Sequence, residues 1–195
     1  FLLLAVVAAL VISGINPYDR TTWWQEVFPV LIGIPVFIST YRSFRLTALL
    51  YRLLLIHAII LMIGGHYTYA HVPAGFWIQE IFNLGRNHYD RLGHFAQGFV
   101  PAILAREILL RRSPLVPGKW LFFIVVSICL AFSAFYERIE WCTAMIEGEA
   151  AEAFLGTQGD VWDTQWNMFL ALLGSIMAQL ILSKSHDKAL KQIVQ

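Results

Sequence analysis

The sequence predicts an all-α fold: a polytopic transmembrane helical bundle of about six spans with both termini cytoplasmic. Three observations carry that expectation. Of the 195 residues, 58% are apolar and only 14% charged, where soluble domains carry about a quarter charged. Several apolar runs are long enough to cross a hydrocarbon core about 30 Å thick, which takes about 20 helical residues each. The runs are continuous rather than alternating, so helices rather than barrel strands satisfy the backbone in lipid.

Taken in order, the expected spans cover residues 1–15, 27–41, 46–65, 92–110, 120–136 and 162–183, within a single integral membrane domain of residues 1–195. The chain opens on Phe1, and Leu2 to Ile12 has neither a basic flank nor a small-x-small pattern before Asn16. It reads as a truncated first transmembrane helix rather than a signal-peptide core. The second span contains Pro29 and Pro35, where a kink is expected. Between spans three and four, Phe76 to Leu84 has the apolar spacing of a short helix lying on the membrane surface. Between spans five and six, Glu147 to Phe154 reads as a short acidic helix and Gly156 to Gly159 as a turn.

Charge placement sets the orientation, because Lys and Arg in short loops stay on the cytoplasmic side. Arg42, Arg45 and Arg52 flank one junction, Arg106, Arg111, Arg112 and Lys119 a second, and Lys184, Lys188 and Lys191 follow the last span. All three regions fall on one side of a six-span topology. The opposite, outward side gathers most of the acids, with Trp23, Trp24, Trp77, Trp141, Trp162 and Trp166 near its boundary as an expected anchoring belt. The formal net charge of +1 says nothing about partners, but no basic block reads as nucleic-acid binding, so no nucleic-acid partner is expected. Cys129 and Cys142 make no C-x-x-C pair and are expected to be free thiols.

The candidate site lies at the outward ends of three spans. Asp90 and His94 stand one helical turn apart at the start of span four, Glu137 and Glu140 share a face at the end of span five, and Asp163 and Asn167 share a face at the start of span six. Like charges gathered near lipid require a cation, an arginine or shared protons. Three resolutions stay open. A divalent metal ion could be held by His94 with Asp90, Glu137, Glu140 and Asp163, His66 and Asn167 being of second rank. Arg91 or Arg138 could neutralise the acids in a structural network. The acids could instead titrate as cargo crosses, in a transporter.

Other polar residues read more plainly. His57 is expected to bond between helices, His71 and His88 to be solvated loop residues, and His186 to lie in the cytoplasmic tail without a role. Glu107 reads as a partner for the neighbouring arginines. Ser133 lacks a nameable His and acid around it, and no G-x-S-x-G, phosphate-binding loop, H-E-x-x-H or dinucleotide fingerprint occurs.

These residues also carry a resemblance. Gly65-His66-Tyr67-Thr68-Tyr69, Asn87 to Phe95, Phe135 to Trp141 and Gly159 to Met168 resemble the YjdF-type inner-membrane protein family, over nearly the whole chain. A more distant likeness is to VanZ-like membrane proteins, with Asp-basic-x-x-His matched by Asp90, Arg91 and His94, and Asp-x-x-x-Asn by Asp163 and Asn167. Glu140 departs from the Gln of that pattern, which adds a charge to balance. In the closer family an acid is expected where Asn167 stands. The resemblance implies a helical bacterial inner (cytoplasmic) membrane protein with a polar site on its outer side, and supplies no reaction.

The leading expectation is a cation-dependent hydrolase or transferase acting on a lipid-linked or envelope substrate, with Asp90, His94, Glu137, Glu140 and Asp163 as ligands or acid and base. The alternatives are a small proton- or cation-coupled transporter or binding protein, and a structural polar cluster without catalysis. Oligomeric state is not legible: Gly33, Gly64 and Gly174 permit close contacts without saying between which chains.

Overall fold

The computed structural model describes residues 1–147 and 157–193, and among these every regular element is a helix. They are α1 (Leu2–Ser13), α2 (Arg20–Thr40), α3 (Ala48–Tyr67), α4 (Pro73–Phe82), α5 (Tyr89–Arg112), α6 (Lys119–Glu147) and α7 (Asp163–Lys191). The acidic helix expected up to Phe154 lies, beyond Glu147, outside the described residues, as does Gly156. Gln158 (φ 48°) and Gly159 (φ 82°) make the turn expected before α7.

Among the described residues four helices, α2, α3, α6 and α7, are long and apolar enough to cross a membrane. At 12 residues α1 is short for that task. Helix α5 has the length, 24 residues, but Asp90, Arg91, Arg106, Glu107, Arg111 and Arg112 dilute its apolar character. The surface is that of a protein solvated by lipid: Ile56 and Ile59 on α3, Phe123 on α6, and Leu180 and Ile181 on α7 are all exposed. Polar groups sit inside instead, with Thr47, Glu107, Ser133, Asn167, Ser175 and His186 fully buried.

Local chemistry fixes the helix ends. The Asp19 side chain accepts from the Thr22 amide at 2.7 Å and starts α2, and the Thr47 hydroxyl accepts from the Leu50 amide at 3.3 Å to start α3. Thr68 and Tyr69, at φ 54° and 49°, turn the chain out of α3. Pro73 opens α4, and Phe76, Trp77, Ile78, Ile81 and Phe82 are exposed on it, as a helix on a membrane surface requires. Trp23 departs from the expected belt: it is buried, and its indole donates to Ser13 Oγ at 3.1 Å, tying α1 to α2. The other five tryptophans of that set are exposed, as is Trp120, which lies outside it.

Helix α5 is central, packed against α3, α6 and most extensively α7. At the α5–α7 crossing the backbones themselves meet. A Cβ on Gly98 would collide with the Ala171 carbonyl, and one on Gly174 with the Phe95 carbonyl. Without a hydrophobic drive in lipid, such small-residue contact is what holds helices together.

Two sequence expectations change at the basic end of the bundle. Helix α7 runs on past residue 183 to Lys191, so His186 is a fully buried core residue rather than part of a tail. Its Nε2 lies 3.0 Å from Glu107 Oε2 and its Nδ1 2.8 Å from Arg106 Nη1. Glu107 also accepts from the Thr47 amide and hydroxyl and pairs with Arg111 at 2.9 Å, so it is a buried hub rather than a surface partner.

Two outcomes follow. Gly98→Ala and Gly174→Ala should each lower thermal stability in detergent, by about 1–3 kcal/mol for overpacking, while Gly85→Ala, with open space around it, should not; a thermal melt of the three variants checks this. Glu107→Ala should cost about 3–5 kcal/mol by leaving buried partners uncompensated, read in the same melt.

Candidate His/carboxylate site

Because α2, α5 and α7 run in one direction and α6 in the other, one end of the bundle receives the start of α2, α5 and α7 and the end of α6. The Asn87 side chain accepts from the Tyr89 amide at 3.0 Å, which begins α5 so that Asp90 falls in its first turn and His94 in its second. Helix α6 continues beyond the expected residue 136 as one helix, carrying Ser133, Glu137 and Glu140 on a single buried face.

His94 is the centre. Its Nε2 lies 3.4 Å from Asp90 Oδ1; its Nδ1 lies 3.0 Å from Gln97 Oε1 and 3.7 Å from Glu137 Oε1. Potential ligand atoms of His94, Glu137 and Glu140 all fall within 4.8 Å of one another. Asp90, His94, Glu137 and Glu140 are each 6–7% exposed, and among the described residues Glu137 Oε1 and Asp90 Oδ2 have no hydrogen-bond partner.

Glu26 also enters this site, from α2, and was not among the sequence candidates. It is buried and accepts from the Tyr136 hydroxyl at 3.3 Å. The expected span began at Val27 and left Glu26 outside; the Asp19-to-Thr22 cap was the signal that α2 begins earlier. Tyr69 lies beside Glu26, its ring fitted where Gly64 and Gly93 leave room. Burial, then the nearby Glu26, holds its phenol well above the usual range, so it remains a proton donor.

Asp163 and Asn167 are buried at the same end but face different partners. Arg86 Nη2 lies 2.7 Å from Asp163 Oδ1, an ion pair too oblique for a hydrogen bond, and Asn167 Nδ2 donates to Asp163 Oδ2 at 3.2 Å. Arg91 pairs with Asp160 at 2.8 Å. Arg138 is exposed and makes no ion pair among the described residues. The arginines therefore balance Asp160 and Asp163, and none among the described residues pairs with Glu26, Asp90, Glu137 or Glu140. His88 does not supply the missing charge: burial, then Arg91 and Arg86, hold its imidazole below the usual range.

The remaining histidines are placed elsewhere. His66 does not join the cluster; its Nδ1 lies 2.8 Å from the Ser13 carbonyl and pins α1 to α3. His57 lacks the interhelical bond expected of it, its Nε2 being buried without a partner. His71 is exposed and stacks on Tyr18. Cys129 is buried and Cys142 exposed, both free.

The cluster opens into a half-open groove of about 2060 Å³, whose lining includes the exposed Phe28, Ile32, Phe132 and Phe135. Glu26, Tyr69, Asp90, His94, Tyr136 and Glu140 line one end, and Arg45, Arg52 and Arg111 the other. The walls between are mainly apolar, including Leu54, Leu55, Ala58, Leu61 and Leu104, with His57 and Gln97 as polar exceptions.

The fold and this site define an integral membrane protein, an α-helical bundle with a buried His/carboxylate cluster at one end. Residues 1–188 match the family described as Predicted membrane protein (DUF2238), and the chain belongs to that family. It is 49% identical over 189 residues to Inner membrane protein YjdF of Escherichia coli (strain K12), covering 97% of this chain and 90% of that protein. No solved structure matches.

Arg86 also fastens the loop ahead of α5 to the turn ahead of α7, its Nη1 donating to the Thr157 carbonyl beside the two-way bond of Asn87 with Gln158. Arg86→Gln should cost about 1.5–3 kcal/mol of local stability and speed amide exchange at Asn87 and the start of α7, measured by hydrogen exchange with mass spectrometry.

Proposed function

We propose that the protein is a multi-pass inner-membrane hydrolase or transferase with six spans, both termini cytoplasmic, and an outward-facing, cation-dependent site acting on a lipid-linked or envelope substrate. The orientation rests on the arginines and lysines gathered at the end opposite His94. The inner-membrane location rests on the relative's name.

The continuity of the His94 cluster with the apolar cavity carries this reading. Its volume exceeds the roughly 300–1,000 Å³ of ordinary small-molecule pockets, and its walls suit a hydrocarbon chain. A lipid lying there would place its polar head among Glu26, His94, Tyr136 and Glu140. A divalent cation would supply Lewis-acid polarisation of a carbonyl or phosphoryl oxygen and a more acidic bound water. The carboxylates around it would take or return the proton, while Tyr69 and Tyr136 could donate hydrogen bonds to the head group.

One observation favours a second reading, a cation- or proton-coupled transporter: the cavity reaches the basic end at Arg45 and Arg111. The apolar walls in between weigh against it, because a permeating ion needs polar partners along its way.

Protein purified in a mild non-ionic detergent should retain lipid at about one molecule per chain, by quantitative mass spectrometry, and Ala105→Trp, which narrows the cavity, should reduce that at least several-fold. Loss of lipid from the wild type, or full retention by the variant, would sink the reading. On the retained lipid class in proteoliposomes, Glu140→Gln and His94→Ala should slow turnover about 100-fold or more; coupled ion flux without turnover would favour the transporter.

A further inference from the structure

Resting on the cation-dependent reading above, we propose that His94 Nδ1, Glu137 and Glu140 are the protein ligands of a divalent transition-metal ion, and that Asp90 is a positioning residue that holds the imidazole from its opposite nitrogen. The sequence alone treated all five polar residues as equivalent ligands. Geometry divides them.

Glu137 approaches His94 from the Nδ1 side, at 3.7 Å, and Glu140 completes the group within 4.8 Å. Ligands about 2.0–2.2 Å from one ion stand roughly 3–3.5 Å apart, so small side-chain rotations close the site. Glu137 Oε1, on a side chain 5% exposed, has no hydrogen-bond partner among the described residues. It is the buried, unspent acceptor that a cation would engage.

Asp90 stands across the ring, with Oδ1 3.4 Å from Nε2 and one turn earlier on the same helix. A small rotation would let Asp90 accept Nε2–H, and once the Nδ1 proton has left to solvent that lone pair faces Glu137, the arrangement by which a carboxylate orients a metal-bound histidine. Asp163 is already committed to Arg86 and Asn167. Gln97 Oε1, 3.0 Å from Nδ1, can only accept a proton from that nitrogen, so metal binding there releases the Nδ1 proton to solvent and breaks this contact. One imidazole and two carboxylates form a mixed nitrogen and oxygen set, suited to zinc(II) or manganese(II) rather than to the all-oxygen sites of calcium or magnesium.

The test is metal binding by full-length protein in detergent, stripped with chelator and titrated with zinc(II) or manganese(II) alone, with bound metal measured by elemental analysis after dialysis. Wild type and Asp163→Asn should each bind one equivalent. His94→Ala, Glu137→Gln and Glu140→Gln should bind none. Asp90→Asn should still bind, about 10–100-fold more weakly, and Asp90→Glu should recover part of that loss. In the cobalt(II) form, the visible bands of Asp90→Asn should shift relative to wild type, because the ring is no longer held; a purely structural role would leave them in place. A thermal melt of each variant separates lost ligands from lost fold, and the near-isosteric Gln and Asn changes keep the test open if His94→Ala unfolds. If Asp90→Asn binds as tightly as wild type, or loses metal as fully as Glu140→Gln, the division of roles is overturned. If wild type itself binds neither metal, the cation-dependent reading fails with it; metal bound without any action on lipid would sink that reading's substrate and leave this assignment intact.

Discussion

The contact of α5 with α7 at Gly98 and Gly174 is the constraint on which the other geometry depends. Because each glycine meets a backbone carbonyl of the other helix, the two rods have almost no freedom to slide. That register carries in both directions: toward one end it sets Asp163 and Asn167 beside the helix bearing Asp90 and His94, and toward the other it sets His186 against Glu107. In lipid, close van der Waals packing and interhelical hydrogen bonds supply the association that hydrophobic burial supplies in water. A side chain at either glycine would disturb both polar ends at once.

The two ends are chemically unlike. At Glu107 the books close: Thr47 donates twice, Arg111 and His186 are in contact, and Arg106 is matched by Asp187 at 2.8 Å. At His94 four buried carboxyl groups lie near one imidazole, and two of their oxygens have no partner among the described residues. A network kept only for packing would resemble the first, since half-satisfied polar clusters are worse than apolar ones. On the reading proposed above, the metal ion is the partner that the second lacks.

Much of this was legible from the residues alone. Long apolar runs and few charges gave the helical membrane class, and i, i+3 and i+4 spacing of polar residues at the starts of α5 and α7 and along α6 marked the end where they meet. Three things were hidden. Glu26 was missed because the apolar run, rather than the Asp19 cap, was used to start α2; His186 because hydropathy falls before α7 ends; and the split between Asp163 and the His94 group because Arg86 approaches from a loop whose fold no periodicity encodes. Helical spacing reports what shares a face; it does not report which neighbour a face meets.

The cavity and the cluster make different demands on a ligand. Hydrocarbon chains of the bilayer are as apolar as the walls at Leu54, Leu61 and Leu104, so entering between them gains little free energy and gives little selectivity. On the lipid reading, discrimination must then come from the polar end, where Glu26, Tyr69, Tyr136 and the groups around His94 face whatever the chain delivers. There a head group that fails to satisfy the buried donors and acceptors leaves them unpaired in a low dielectric, a penalty of about 1–3 kcal/mol for each. The chain would decide only where a lipid lies, and the unbalanced acids would decide which lipid stays.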